Sequence, residues 1–290
     1  MRKFMYKYSL DKSSKKFVCP QCGKKVFVRY IDNTSNNYLQ SNIGRCDRES
    51  KCQYHNKPNG NKSIVSSSDV VKEEPACLNF DAVIQSMQNI KNDNFIKYLL
   101  QYFSWSQVRN AILKYNIGNC NHWHGATIFW QVDEQMNVCA GKVMLYDKIT
   151  GKRVKKPYPH INWIHSVYKI DDFVLQQCLF GIHNLCDYDP GSTVCIVESE
   201  KTAIFMSIVQ PAYLWLATGS KSNLKAQLLK PLIDYAIILF PDKTEFKDWN
   251  TRATQLLKNG FKISCSALLE NKNIEEGSDL ADLLCVDLVN

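Results

Sequence analysis

Apolar positions along this chain change rhythm repeatedly, and each change predicts a different kind of element. Near the start, Val26-Phe27-Val28-Arg29-Tyr30 alternates with period two, as a half-buried strand does, and Asn33-Thr34-Ser35-Asn36-Asn37 reads as the turn after it. Residues 57–78 lose periodicity and fill with Pro, Asn, Gly and Ser, which predicts a tether. A helical stretch begins near Phe80, and 95–103 is strongly apolar. Ser104, with Gln107 three residues on, has the form of a capping box opening a second helix. Strands are expected over 127–132 and 138–146, then a turn over 147–153 and an exposed basic segment ending at Lys156.

From Ser192 strands and helices alternate. The near-continuous apolar run 193–197 reads as a buried parallel strand. Glu198-Ser199-Glu200-Lys201 then opens a helix with Ala203, Ile204, Phe205, Ile208 and Val209 facing inward. Strands over 213–217, 235–240 and 261–264 are separated by helices over 224–232 and 249–259, the latter closed by Gly260. The chain is therefore expected to be α/β: a small module over 1–56, a linker over 57–78, an α+β middle domain over 79–190, and an open parallel sheet over 191–290.

Composition supports folding, since 45% of residues are hydrophobic and 22% charged, which excludes a disordered chain. The formal charge of +8 is uneven: residues 1–68 carry 14 Lys and Arg against 4 Asp and Glu, a net of +10, which leaves −2 for 69–290. A compact basic patch is the electrostatic footprint expected of a nucleic-acid contact, and a tail that only aids solubility has a similar composition. Met1-Arg2-Lys3 is followed by no sustained apolar region, and no uncharged run reaches the roughly 18 residues of a membrane span. A cytoplasmic location without a membrane partner is expected, where the 12 cysteines stay reduced.

Four cysteines are spaced as metal ligands. Cys19-Pro20-Gln21-Cys22-Gly23 is a knuckle, 23 residues intervene between Cys22 and Cys46, and five between Cys46 and Cys52. Four thiolates suit a closed, structural zinc site, and His55 is a competing ligand in place of Cys52. Lys24, Lys25, Arg29, Arg45, Arg48 and Lys51 surround the knuckles as candidate phosphate contacts. Cys77, Cys120, Cys139, Cys178, Cys186, Cys195, Cys265 and Cys285 read as small buried hydrophobes. His122 and His124 have no third ligand near them in sequence and make a weak metal candidate, whereas Lys142, Arg153, Lys155 and Lys156 are expected to face a solvent-exposed groove.

Glu198 follows the first strand of the C-terminal sheet and Asp242 the third, which puts both at carboxyl ends of strands, where such sheets place their chemistry. Two such carboxylates can share Mg²⁺ with phosphate oxygens; equally, each can cap the helix that follows.

Val197-Glu198-Ser199-Glu200-Lys201-Thr202-Ala203 resembles the opening motif of Toprim domains, the Rossmannoid parallel-sheet domains of bacterial primases, topoisomerases and related nucleases. The resemblance continues through Ala217-Thr218-Gly219 to Phe240-Pro241-Asp242-Lys243-Thr244, where the family has Asp-x-Asp and this chain has Thr244 in the second place. Asp279 and Asp282 are similar to a terminal acidic motif of phage and plasmid primase-like proteins; equally, Asp279 can cap a helix. The order of zinc ribbon, basic aromatic middle region and Toprim-like sheet resembles primases of bacterial mobile elements of Bacteroides type. The ribbon departs from the primase type, which uses three cysteines and one histidine.

The resemblance implies catalytic roles for Glu198, Asp242 and Lys142, with Mg²⁺ or Mn²⁺ held by Glu198, Asp242 and Asp282. Lys142 and Arg153 would neutralise template or triphosphate. It implies a DNA-replication protein engaging single-stranded DNA, with Mg²⁺-dependent primer synthesis as the activity. No P-loop is present, so any helicase is a separate partner. The alternatives are a non-catalytic DNA-binding or replisome-adaptor protein that keeps the fold, and a Toprim-type nuclease.

Overall fold

The computed structural model describes residues 7–13, 15–48, 52–58, 76–88 and 90–289, with side chains up to 285. They belong to two compact units, Met1–Lys72 and Glu73–Asn290. Most of the expected tether, and Lys51, lie outside the described residues. Among the described residues, no helix is long and apolar enough to cross a membrane.

In the first unit β1 (Tyr8–Leu10), β2 (Phe17–Val18), β3 (Lys25–Asp32), β4 (Asn37–Tyr38), β5 (Gly44–Cys46) and β6 (His55–Asn56) form one antiparallel sheet. Its order is β1-β3-β5-β6, with β2 and β4 also on β3. The apolar alternation makes β3 the spine: Phe27 is fully buried and packs with Cys19, Cys46 and Cys52, while Asn36 turns the chain with a positive φ of 56°. Gly44 lets β5 approach this core, since a Cβ there would lie 2.2 Å from the Val28 carbonyl and 2.4 Å from the Phe27 ring. So few buried residues among those described cannot offset the chain entropy alone, as expected of a module that folds around a metal.

The second unit opens with α1 (Phe80–Ser86), α2 (Asn94–Leu99) and α3 (Trp105–Tyr115). Ser104 and Gln107 form the expected capping box on α3. Asp93 caps α2 from a fully buried position, accepting from the amides of Phe95 and Ile96 and from the Thr127 hydroxyl. An antiparallel meander follows: β7 (Ile117–Cys120), β8 (Ala126–Val132), β9 (Val138–Met144) and, at the far edge, β10 (Ile161–Trp163), which leads into α4 (Ile164–Val167). Every residue of β8 and β9 is buried because both faces are covered. Phe129 and Met144 pack with α2 and α3, whereas Ile128, Trp130 and Val143 pack with Val83 of α1.

The strand and helix alternation after Ser192 is β11 (Thr193–Val197), α5 (Glu200–Val209), β12 (Leu214–Ala217), α6 (Ala226–Leu229), β13 (Ala236–Leu239), α7 (Phe246–Lys258), β14 (Lys262–Cys265) and α8 (Leu280–Val289). The four strands form a parallel sheet in the order β12-β11-β13-β14. Cys195 and Val197 face one core, Val194 and Ile196 the other, so β11 is apolar from Val194 onward. The first of these cores also holds Phe95, Leu99, Ile112 and Tyr115, and the Tyr115 hydroxyl donates to the Trp215 carbonyl at 2.8 Å. The middle and C-terminal segments thus share one apolar interior.

Two expectations change. The helix over 224–232 is instead a single α-turn followed by a 3-10 turn, Lys230–Leu232, because Pro231 brings no amide hydrogen. Of the eight cysteines read as buried, only Cys139 and Cys195 are; Cys77 and Cys186 are exposed and the others lie between, Cys120 and Cys265 at strand ends where cover is incomplete.

Candidate zinc centre and active-site cleft

The knuckle closes through hydrogen bonds from the Gly23 amide to the Cys19 carbonyl (3.0 Å) and from the Cys19 amide to the Lys24 carbonyl (2.9 Å), with Gly23 at φ 66°. Cys46 ends β5, and the Cys52 amide donates to the Arg48 carbonyl at 2.8 Å. The four sulfurs lie within 4.8 Å of one another, with Cys19 and Cys52 3.7 Å apart and Cys22 and Cys46 3.9 Å apart. A tetrahedron with zinc–sulfur bonds of about 2.3 Å has edges of about 3.8 Å, so the set fits structural zinc. The Lys24 amide holds the Cys22 thiol down at about 6, while burial pushes the Cys46 thiol up to about 12. His55 lies elsewhere: its ring is parallel to that of Tyr30, and its Nε2 is 3.0 Å from the Tyr30 hydroxyl.

Around this centre Lys24 and Lys25 are exposed. Arg29 is engaged, its guanidinium 5.1 Å from the Phe17 ring and 5.0 Å from the Tyr38 ring while donating to the Leu39 carbonyl. Arg48 stands beside the Cys22 thiol, and Arg45 is half-buried on β5.

In the second unit one cleft of about 480 Å³ collects residues from both sheets. Glu198 follows β11, Gly219 lies two residues beyond β12, and Asp242 lies three beyond β13, so the cleft sits across the carboxyl ends of three neighbouring strands. Lys142 reaches it from β9, and Lys152, Arg153 and Lys155 form its basic rim. Glu275, Glu276 and Asp282 add acids to its lining.

Lys142 does not face an open groove as expected. It is 8% exposed, and its ammonium donates to both oxygens of Glu200 (3.0 and 3.3 Å) and to the Gly219 carbonyl (2.8 Å). Glu200 is itself 2% exposed, and an ammonium this far from water needs such partners. Gly219 has φ 69°, and a Cβ there would come 2.8 Å from Glu200 Oε1.

A second buried cluster lies at the start of α8. Asp279 and Asp282 cap reciprocally, each accepting the other's amide (3.0 and 3.1 Å), while Thr202 donates to Asp279 at 2.6 Å. Lys201 pairs with Asp282 at 3.2 Å and Asp279 at 3.5 Å. Burial alone would lower the Lys201 ammonium, but the two aspartates outweigh it and hold its pKa up.

Glu198 and Asp242, by contrast, accept no side-chain hydrogen bond among the described residues. Burial, then Glu245, raises Glu198 above the usual carboxylate range. Burial, then Asp279, Glu198 and Asp282, pushes Asp242 up to about 8. Thr244 is exposed; of the acids that could replace a second aspartate, Glu245 pairs with Lys221 at 2.8 Å and Asp248 with Arg252 at 3.3 Å.

Hard oxygen donors under mutual repulsion suit a divalent cation. Among the described residues, though, only the four cysteines bring three or more ligand atoms within 4.8 Å of one another. The acids therefore fit a cation held by one or two carboxylates whose remaining sites go to phosphate and water. The sequence reading missed the pairing of Glu200 and Lys201, which needed their partners' positions in space; the one available signal was two charges at the start of an otherwise apolar helix.

The family model described as domain of unknown function (DUF6371) matches residues 93–243, and one described as a zinc beta-ribbon finger matches residues 6–65. No curated protein matches the chain. Among solved structures, the chain is similar to the primase fragment of the bacteriophage T7 primase-helicase protein (15% identity, 94% of each chain covered, TM-score 0.46). It is similar to the RNA polymerase domain of Mycobacterium tuberculosis primase DnaG (13% identity, 72% of this chain and 79% of that chain, TM-score 0.45). A third similar structure is the Aquifex aeolicus primase with its zinc-binding and RNA polymerase domains (13% identity, 97% and 80%, TM-score 0.43).

Proposed function

We propose for this chain, which belongs to the DUF6371 family, a primase-like role on DNA: a mobile-element replication protein that binds single-stranded template and extends a primer in its Toprim-like cleft. The observation that carries the reading is the meeting of Glu198 and Asp242 with Lys142 and the basic rim in one cleft. Glu198 and Asp242 hold Mg²⁺ or Mn²⁺, with Asp282 at the edge of the site. The bound cation supplies charge neutralisation and polarisation of a phosphate group. Arg153, Lys152 and Lys155 bind the phosphates of template or nucleotide, and Lys142 fixes Glu200 and the Gly219 turn beside them. The zinc ribbon offers Lys24 and Lys25 to the phosphate backbone, a contact that positions without reading sequence.

The test is incubation of the protein with single-stranded DNA, NTPs and Mg²⁺ or Mn²⁺, beside Glu198→Gln. Primers made by the wild type and reduced about 100-fold or more in the variant are the expected result. Shortened DNA would instead mark a nuclease. A second reading, a binding or adaptor protein without catalysis, is favoured by exposed Thr244 and by Asp282, whose two oxygens are already bonded to Lys201 and the Asp279 amide. Unchanged DNA binding by Glu198→Gln with no product from either protein would select it.

A further inference from the structure

At the rim of the cleft the chain runs Lys152-Arg153-Val154-Lys155-Lys156-Pro157-Tyr158, and the first, second and fourth of these residues line the cleft. Three residues further than Lys155, within about 10 Å along the chain, Tyr158 is 53% exposed. Its inner face is already filled: the His160 ring stacks on it with centroids 4.6 Å apart and planes at 20°. His160 is 8% exposed and is braced in turn by the edge of Trp123 at 5.0 Å. The segment is fixed to the sheet, with the Val154 amide bonded to the Leu145 carbonyl (2.9 Å) and the His160 amide to the Val154 carbonyl (3.1 Å).

A ring backed in this way keeps one face for a ligand and loses little freedom on binding, having only two side-chain torsions to settle. The cations ahead of it define what that ligand is. A row of positive side chains ending in an exposed aromatic face matches a single strand, whose phosphates follow the charges and whose base stacks on the ring. We infer that Tyr158 is a base-stacking platform for single-stranded nucleic acid leaving the cleft along the basic rim. This rests on the functional reading above.

The test is fluorescence titration of single-stranded DNA and RNA oligonucleotides carrying 2-aminopurine, over a range of salt, with the wild type, Tyr158→Leu, Tyr158→Phe and the double variant Lys155→Gln/Lys156→Gln. Tyr158→Leu is expected to weaken binding about 5- to 100-fold and remove the stacking quench, leaving the salt slope unchanged, while Tyr158→Phe binds as the wild type. The double lysine variant is expected to flatten the slope by about 1.4, at roughly 0.7 per phosphate contact on a single strand. A loss seen with DNA, with RNA or with both supports the platform and identifies the strand. Wild-type affinity and quench in Tyr158→Leu overturn it while the functional reading stands, leaving the ring to a protein partner. Failure of the wild type to bind either oligonucleotide overturns the functional reading and the platform together.

Discussion

Asp242 has its carboxyl pushed up to about 8 by burial and by Asp279, Glu198 and Asp282, whereas an unfolded aspartate titrates near 3.9. Between those values the folded protein holds a proton that the unfolded chain releases, so the contribution of this group to stability is greatest below about pH 4 and falls until about pH 8. Buried Asp93, raised to about 7, acts in the same direction up to its own pKa. Asp242→Asn is therefore expected to raise Tm at pH 8 and leave it nearly unchanged at pH 4, with each kcal/mol worth about 2–4 °C in a unit of this size. Mg²⁺ should raise the wild-type Tm at pH 8 and not that of the variant. Thermal melts at the two pH values decide this, and equal shifts would refute it. The buried Lys142 and Glu200 pair is tested by removing one partner. Lys142→Met strands a buried carboxylate at a cost of about 3–5 kcal/mol, and adding Glu200→Gln should recover most of it in urea unfolding.

At the scale of elements, what could be read from the sequence follows the range of the interactions involved. The capping box of α3 was legible because Ser104 and Gln107 are three residues apart, and β11 because burial on both faces leaves an unbroken apolar run. The ends of β11 and β13 followed from the strands themselves, which is why Glu198 and Asp242 could be named as neighbours of one sheet edge. The edge strand β10 has only three residues, too few for a period to show, and α4 has four. Lys142 was misread because an isolated lysine in an apolar strand gives no sign of Glu200, 58 residues away. The start of α8 is similar: Asp279 caps Asp282 locally but also accepts from Thr202, 77 residues back. Asp279→Ala removes that cap and leaves Lys201 with Asp282 alone. A loss of about 0.5–2 kcal/mol is expected for the cap itself, read as faster amide exchange through α8; unchanged exchange would refute the cap's role.

For the whole molecule, the two units differ in what holds them. Among the described residues, the ribbon's apolar core is four buried residues, three of them candidate zinc ligands, whereas the second unit has three apolar clusters of its own. Stability should therefore separate by metal dependence, since the free energy of zinc binding is largely folding free energy in a module this small. The sequence supplies a clean reporter: all 6 tryptophans, Trp105, Trp123, Trp130, Trp163, Trp215 and Trp249, lie beyond residue 72. A strong chelator is expected to unfold the ribbon, seen as rapid proteolysis between residues 7 and 58, while the tryptophan emission and the thermal transition it reports stay within about 1 °C, well under the shift of a 1 kcal/mol loss. Single-stranded DNA binding should weaken and lose part of its salt slope, because Lys24 and Lys25 no longer present their charges from a fixed frame. If tryptophan emission shifted with the metal, the second unit would depend on the ribbon for its fold, and the separation drawn from the two sets of cores would fail.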